Sequence, residues 1–305
     1  VSDTLQRTRE EPTAETREQT PDTRSRRRAP LSLLLIGPAV LFVLVFFVYP
    51  VASLISKALT FPEWGTQNLA WLLSDSTAMD VLVRTLWVAG GVTLVTLILG
   101  YPYAYLMSVS GPRARAVLTM LVLLPFWTSL MVRTFAWVVI LQDNGVLNSG
   151  LNSLGLPSAH LLRTTPGVFI GMCQVLMPFM VLPLSATMRT IDRRLIQAGQ
   201  ILGASPREAF WRIFVPLSLP GILAGTLMVF ILSLGFYITP AILGSPKQEL
   251  LPNALFTQIS ELLQWGHAAS LAIALLLTAG LVLALSMALS KKFGARISDA
   301  SRLEL

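Results

Sequence analysis

Ile191-Asp-Arg-Arg-Leu-Ile-Gln-Ala-Gly-Gln-Ile-Leu-Gly-Ala-Ser-Pro-Arg-Glu-Ala-Phe-Trp-Arg-Ile-Phe-Val-Pro-Leu-Ser-Leu-Pro-Gly221 reads as two short helices joined by a turn. Ile191, Leu195, Ala198 and Leu202 recur at i, i+4, i+7 and i+11, which places them on one helical face. Gly203 supplies a helix stop. Ser205 is a good N-cap, Pro206 suits the first helical position, and Glu208 falls three residues after the cap, completing a capping box. Phe210, Ile213, Phe214 and Leu217 then repeat at i, i+3, i+4 and i+7, and Pro216 and Pro220 are expected to end this second helix. The product is an amphipathic bracket. Its apolar side suits either a partner's groove or the surface of a lipid layer.

The sequence on either side of the bracket is too apolar for water. The 305-residue chain is 53% apolar and 13% charged, against ~45–50% and ~25% in soluble domains. Six charge-poor runs stand out: Leu31–Ile55, Thr85–Ser108, Ala116–Val132 continuing past Arg133 to Gln142, Thr164–Met188, Val215–Ser245 and Ala268–Ser290. Each approaches or exceeds the ~20 residues that a helix needs to cross a bilayer. They are continuous and rich in Leu and Ala, without the alternation of a barrel strand. Helices also satisfy every backbone amide within their own segment, as lipid demands. The expectation is an all-α membrane protein of six transmembrane helices.

Charge sets the orientation. The segment before the first run, the loop around Arg113 and Arg115, the loop 189–214 and the segment after Ser290 hold 18 of the 23 basic residues. The opposite loops hold Lys57, Arg163 and Lys247, and Arg84 and Arg133 lie within spans. Basic loops stay on the cytoplasmic side, so both ends are expected inside. Residues 1–30 mix acids and arginines with few large apolar residues and read as a disordered basic tail. It ends in Arg24-Ser25-Arg26-Arg27-Arg28, a topology anchor or a contact for anionic headgroups. Leu31–Ile55 is too long for the apolar region of a cleaved signal peptide. The basic residues are spread over loops without aromatic interleaving, so the net charge of +7 is no sign of nucleic-acid binding.

Several chemistries lack their residues. No Gly-Lys dipeptide occurs, so there is no phosphate-binding loop of the Gly-rich, Lys-Ser/Thr type. No Asp or Glu falls within the six runs, which weighs against an ion-coupled secondary transporter built on an intramembrane carboxylate and against an intramembrane aspartyl enzyme. His160, His267 and the single Cys173 make neither a zinc spacing nor a disulfide framework.

The bracket resembles the signature loop of permeases in binding-protein-dependent ABC importers: Glu-Ala-Ala, three residues, Gly, then a Pro-containing stretch. Gly203-Ala204-Ser205-Pro206 and the run from Phe210 to Pro220 carry the likeness, and Gln197-Ala198-Gly199 stands where the family usually has Glu-Ala-Ala. Gln keeps the size but loses the charge, so a salt bridge to an ATPase arginine does not carry over. The resemblance implies a type I importer permease fold over residues 31–290, with 190–218 as a cytoplasmic coupling loop and 291–305 as a cytoplasmic tail. Gln197, Ala198, Gly199, Gly203, Ser205, Pro206, Glu208, Phe210, Phe214 and Pro216 become candidate contacts to the ATPase. It implies a bacterial inner-membrane location, a second homologous permease, two ATPase subunits that bind ATP and Mg, and a periplasmic solute-binding protein. No metal or cofactor is expected in this chain, and it is not expected to be an enzyme.

Two further stretches, Leu124-Pro-Phe-Trp-Thr-Ser-Leu-Met-Val-Arg-Thr-Phe-Ala-Trp-Val-Val-Ile-Leu-Gln-Asp-Asn-Gly-Val-Leu-Asn148 and Gly235-Phe-Tyr-Ile-Thr-Pro-Ala-Ile-Leu-Gly244, look like spermidine/putrescine-type permeases. Relatives that import GABA, opines or phosphonates share much of them. A polyamine favours carboxylates and aromatic faces, which Trp127, Trp137, Tyr237 and Asp143 offer, while Arg133 would repel it. These five are the candidate pathway residues. Tryptophans near span ends are also common interface anchors. The rival classes are an ion-coupled transporter, a membrane enzyme and a scaffold without a pathway.

Overall fold

The computed structural model describes residues 37–302, with side chains to residue 288. The tail of residues 1–30, the start of the first run and the side chains of 291–305 lie outside the described residues. The chain divides into two units, Val1–Ala52 and Ser53–Leu305. In the first, residues 37–52 are helical, and their large apolar side chains, such as Phe46 and Phe47, are exposed.

Twelve helices account for the described chain. They are α1 (Gly37–Thr60), α2 (Gln67–Ser74), α3 (Ser76–Val109), α4 (Pro112–Leu123), α5 (Leu130–Leu141), α6 (Val146–Ser153), α7 (Thr165–Thr190), α8 (Arg193–Ile201), α9 (Pro206–Leu234), α10 (Ile238–Leu243), α11 (Leu251–Ser260) and α12 (Trp265–Arg302). Six stretches are long and apolar enough to cross a membrane: α1, α3, Leu130–Ser153, α7, α9 and Trp265–Ala288 of α12. Among the described residues there is no strand.

Two of the six runs depart from straight rods. The run Ala116–Gln142 is broken: α4 leads into a 3-10 turn at Leu124–Trp127, and α5 starts only after extended backbone at Thr128 and Ser129. Pro125 has no N–H to donate and disfavours helix at the residue before it. Thr128 fills the gap by donating both its N–H and its hydroxyl to the Pro125 carbonyl. The run Val215–Ser245 divides at Gly235 into α9 and α10.

A third departure concerns Pro216 and Pro220, which do not end the helix after the capping box. Residues Phe210–Phe214 form a π-turn, and α9 continues unbroken to Leu234 with both prolines inside it. A proline ring clashes with the carbonyl one turn back. The wider π-turn lies where the Pro216 ring would meet the Arg212 carbonyl, so the helix proceeds where a regular one would stop.

In the second unit α7 is the central rod, packed between α3 and α9. Met172, Leu176, Met180, Val181 and Leu184 of α7 are essentially inaccessible, and Val92 of α3 and Val229 of α9 complete the same core. Lipid tails are as apolar as leucine, so close approach and dispersion hold such helices together. The small-x-x-x-small pair Gly221 and Gly225 provides that approach. A Cβ at Gly225 would lie 2.8 Å from the Met180 sulfur and 3.1 Å from the Met180 carbonyl oxygen, and one at Gly221 2.8 Å from Thr187. We expect Gly225→Leu to force α9 off α7, with an overpacking cost of ~1–3 kcal/mol and a clearly lower membrane level on immunoblots. Wild-type accumulation and melting would contradict that packing.

Span hydroxyls serve their own helices. Thr85, Thr93, Thr96, Thr134, Ser233 and Ser270 are buried, and each donates to the carbonyl four residues back. The two basic loops, after α3 and after α7, meet at one end of this unit, where Arg193 donates to the Ser108 carbonyl. At the opposite end α2 is pinned to α12 by Trp71 stacked on His267, 3.8 Å between ring centroids.

Candidate functional site

The coupling loop is built from local signals. Asp192 caps α8 by accepting from Arg194 N–H at 2.9 Å. At the far end Gly203 has φ +96°, its N–H donates to Gln200 O, and Ala204 N–H donates to Gly199 O, both at 3.0 Å. These paired bonds form a Schellman motif, whose left-handed residue favours glycine. Two residues on, Ser205 Oγ accepts from Glu208 N–H while Glu208 Oε2 accepts from Ser205 N–H, the expected capping box, with Pro206 at the first helical position.

The turn gives α8 a partly covered side and a free side. Ile191 and Ile196 pack against the main core, and Gly199 lies beneath Ile213. Leu195, Ala198 and Leu202, on the face marked by the sequence period, point outward with Gln197. Ile201 and Leu202 are 86% and 87% exposed. Two bare aliphatic side chains beside a rigid turn make an apolar knob with no cover from the described residues of this chain.

Behind the knob the loop is tied to α3. Tyr105 meets Phe210 and Phe214 edge-on, with centroids 5.5 and 5.2 Å apart, and Phe210 stacks on Phe214 at 5.6 Å. The Tyr101 hydroxyl hydrogen-bonds Ser218 at 3.0 Å. Edge-to-face and offset stacked rings are the favoured aromatic arrangements. Arg193 reaches Ser108 O at 3.0 Å, while Arg115 donates to Met107 O at 3.1 Å and Ser110 O at 2.8 Å. Cations at a helix C-terminus satisfy its orphan carbonyls and complement its dipole. Arg193 and Arg115 thus do more than set topology, and their place beside the end of a span is the sequence signal for this second role.

The five candidate pathway residues do not converge. Trp127 is exposed on the 3-10 turn. Arg133 donates to Thr128 O at 3.2 Å, and its Nε is buried without a partner. Trp137 donates to Gln174 Oε1 at 3.5 Å and lines an apolar cleft of about 560 Å³ with Phe169, Cys173 and Met177. Asp143 pairs with His160, 2.7 Å from its Nδ1, on the exposed loop. Tyr237 alone reaches a polar cavity.

That cavity, about 700 Å³, is lined by α10, α11, the segments next to them and Arg163 of the loop before α7, at the end away from the coupling loop. Glu249, Glu261, Phe256 and Arg163 line it with Tyr237, whose ring lies 5.4 Å from that of Phe256. Burial raises the Glu249 carboxyl above the usual carboxylate range, opposed by a Thr257 hydroxyl donating to it at 3.4 Å and by nearby Arg84. Arg84 also donates to the Glu249 backbone carbonyl. Sequence reasoning missed Glu249, Glu261 and Phe256, because they lie between spans without a shared period.

Comparison with known proteins agrees with the signature loop. The family described as binding-protein-dependent transport system inner membrane component matches residues 96–299. The spermidine/putrescine transport system permease protein PotB of Salmonella typhimurium (strain SL1344) is 34% identical over 236 residues, covering 77% of this chain and 82% of PotB. The inner membrane ABC transporter permease protein YdcU of Escherichia coli (strain K12) is 32% identical over 287 residues, covering 87% and 90%. In fold, a chain of a bacterial alginate ABC transporter, crystallised in complex with an alginate pentasaccharide-bound periplasmic protein, superposes with a TM-score of 0.71 at 18% identity, covering 87% of this chain and 95% of that one. A helical membrane chain with this capped loop, and with relatives of such identity over most of its length, belongs to the binding-protein-dependent transport system inner membrane components, the permease subunits of ABC importers.

Proposed function

We propose that this permease carries a polyamine of the putrescine/spermidine class across the inner membrane, delivered by a periplasmic binding protein. The similarity to a spermidine/putrescine permease over most of both chains carries the reading. The chain pairs with a second homologous permease and two ATPase subunits, which bind ATP and Mg. With no Gly-Lys phosphate loop, this chain's part is the pathway and its coupling, and both of its ends face the cytoplasm.

The coupling geometry supports a mechanism. The apolar knob at Ile201 and Leu202 seats in a cleft of the ATPase, with Gln197 hydrogen-bonding where relatives have a charge. Closure of the ATPases moves α8 and the start of α9. Arg193 and the Tyr105–Phe210–Phe214 cluster pass that movement to α3, and the spans tilt to open outward. Hydrolysis by the ATPase subunits resets the pathway inward.

Uptake of labelled putrescine and spermidine by cells lacking the gene, with and without complementation, tests the reading. Complementation is expected to restore uptake, ATP depletion to abolish it, and excess GABA to leave it intact. A second reading rests on Arg163 in the outer cavity and on the unpartnered Nε of Arg133. These cations suit a solute bearing a carboxylate or phosphonate, such as GABA, an opine or a phosphonate. Loss of uptake of such a solute, with polyamine uptake unchanged, would select it.

A further inference from the structure

The outer cavity has a composition that the sequence reading did not anticipate. Two glutamates, Glu249 and Glu261, line it against one cation, Arg163. Asn253 Oδ1, in the same lining, is buried and accepts no hydrogen bond. Tyr237 and Phe256 form an aromatic wall. The volume, about 700 Å³, falls within the ~300–1,000 Å³ usual for small-molecule sites.

The balance of donors and acceptors is uneven. An orphaned buried acceptor calls for a donor, and carboxylates accept only. A primary ammonium is the complementary group, with three N–H donors and no acceptor. Its methylene chain lies well along aromatic faces, which also attract the charge. Among the lining residues one guanidinium, Arg163, faces two carboxylates, and Arg84, outside the lining, stands behind Glu249, where it donates to the backbone carbonyl.

We propose that this cavity is a binding station for a primary ammonium on the transport path, with Glu249, Glu261 and Asn253 Oδ1 as acceptors and the Tyr237–Phe256 wall against the alkyl chain. The station rests on the polyamine reading and deepens it. Opposite the coupling loop, it is where a solute released from a periplasmic protein first meets this chain.

Two measurements test it. Complemented cells carrying Glu249→Gln with Glu261→Gln are compared with wild type for initial uptake of labelled spermidine and putrescine at saturating supply. Loss of two charge-assisted bonds is expected to lower uptake of both polyamines by about tenfold or more at equal membrane level. A fold defect would instead lower the membrane level. Independently, Ala241→Cys places a thiol in the exposed lining, while the native Cys173 is buried. Spermidine is expected to slow its labelling by a membrane-impermeant maleimide several-fold, and the double glutamine background to remove that protection. Wild-type spermidine uptake with a double variant within twofold of it, or labelling indifferent to spermidine, would overturn the station and leave the polyamine reading standing. A wild-type chain that imports no polyamine would overturn both.

Discussion

Gly203→Val is expected to insert normally and yet fail to couple. A Cβ at Gly203 meets open space, so no clash is involved. The obstacle is the backbone at φ +96°, where a β-branched residue is strained by ~1–3 kcal/mol. Relief requires the residue to leave the left-handed region, which breaks the paired bonds from Gly203 N–H and Ala204 N–H. The knob at Ile201 and Leu202 then loses its fixed direction relative to the capped start of α9. Solute uptake should fall by about tenfold or more, since that strain alone corresponds to a factor of roughly ten in an equilibrium. Solute-stimulated ATPase should be lost while the membrane level is kept. Gly203→Ala, strained but unbranched, should fall between. Normal stimulated turnover in the valine variant would remove the turn from the coupling path.

The second large effect is expected from Phe214→Ala. Phe214 is 4% exposed and touches both Tyr105 and Phe210. Removing a buried phenyl group costs ~3–5 kcal/mol, lost transfer energy plus the cavity left behind. The cavity opens where the loop joins α3, so the purified complex should melt at a clearly lower temperature and accumulate poorly. Phe214→Leu fills most of the volume without the edge-to-face contacts, and should lose only the ~0.5–1.5 kcal/mol such contacts add. An alanine variant that melts like wild type would show that the ring carries no share of the attachment.

The legible parts of the sequence were those set by neighbours along the chain. The Gly203 stop and the Ser205–Glu208 capping box each depend on a few adjacent residues, and both stand as read. Six spans were legible because lipid imposes length and apolarity on each segment separately. Of the period through Ile191, Leu195, Ala198 and Leu202, Ile191 packs on the core and the other three are exposed, so the period marks a face that divides between the core and the surface. Pro216 was misleading as a stop because one residue's worth of extra winding before it changes which carbonyl its ring meets, and Pro220 lies inside the helix that continues from there. The outer cavity was illegible for a different reason: Arg163, Tyr237, Glu249 and Phe256 come together only through the packing of four separate segments.

The turn at Phe210–Phe214 also bears on how such permeases diverge. Val215 N–H donates to Phe210 O, five residues back, so this stretch holds one residue more than a regular helix of the same rise. Each residue rotates a helix by ~100°. Loss of a single codon here would swing the bracket aromatics about that far around the axis of the span, leaving hydropathy and length almost unchanged. The setting of the handle against the shaft is thus a quantity that one small deletion or insertion resets, invisible to composition. Alignments of relatives that slip by a residue across this stretch would pair side chains that face different directions.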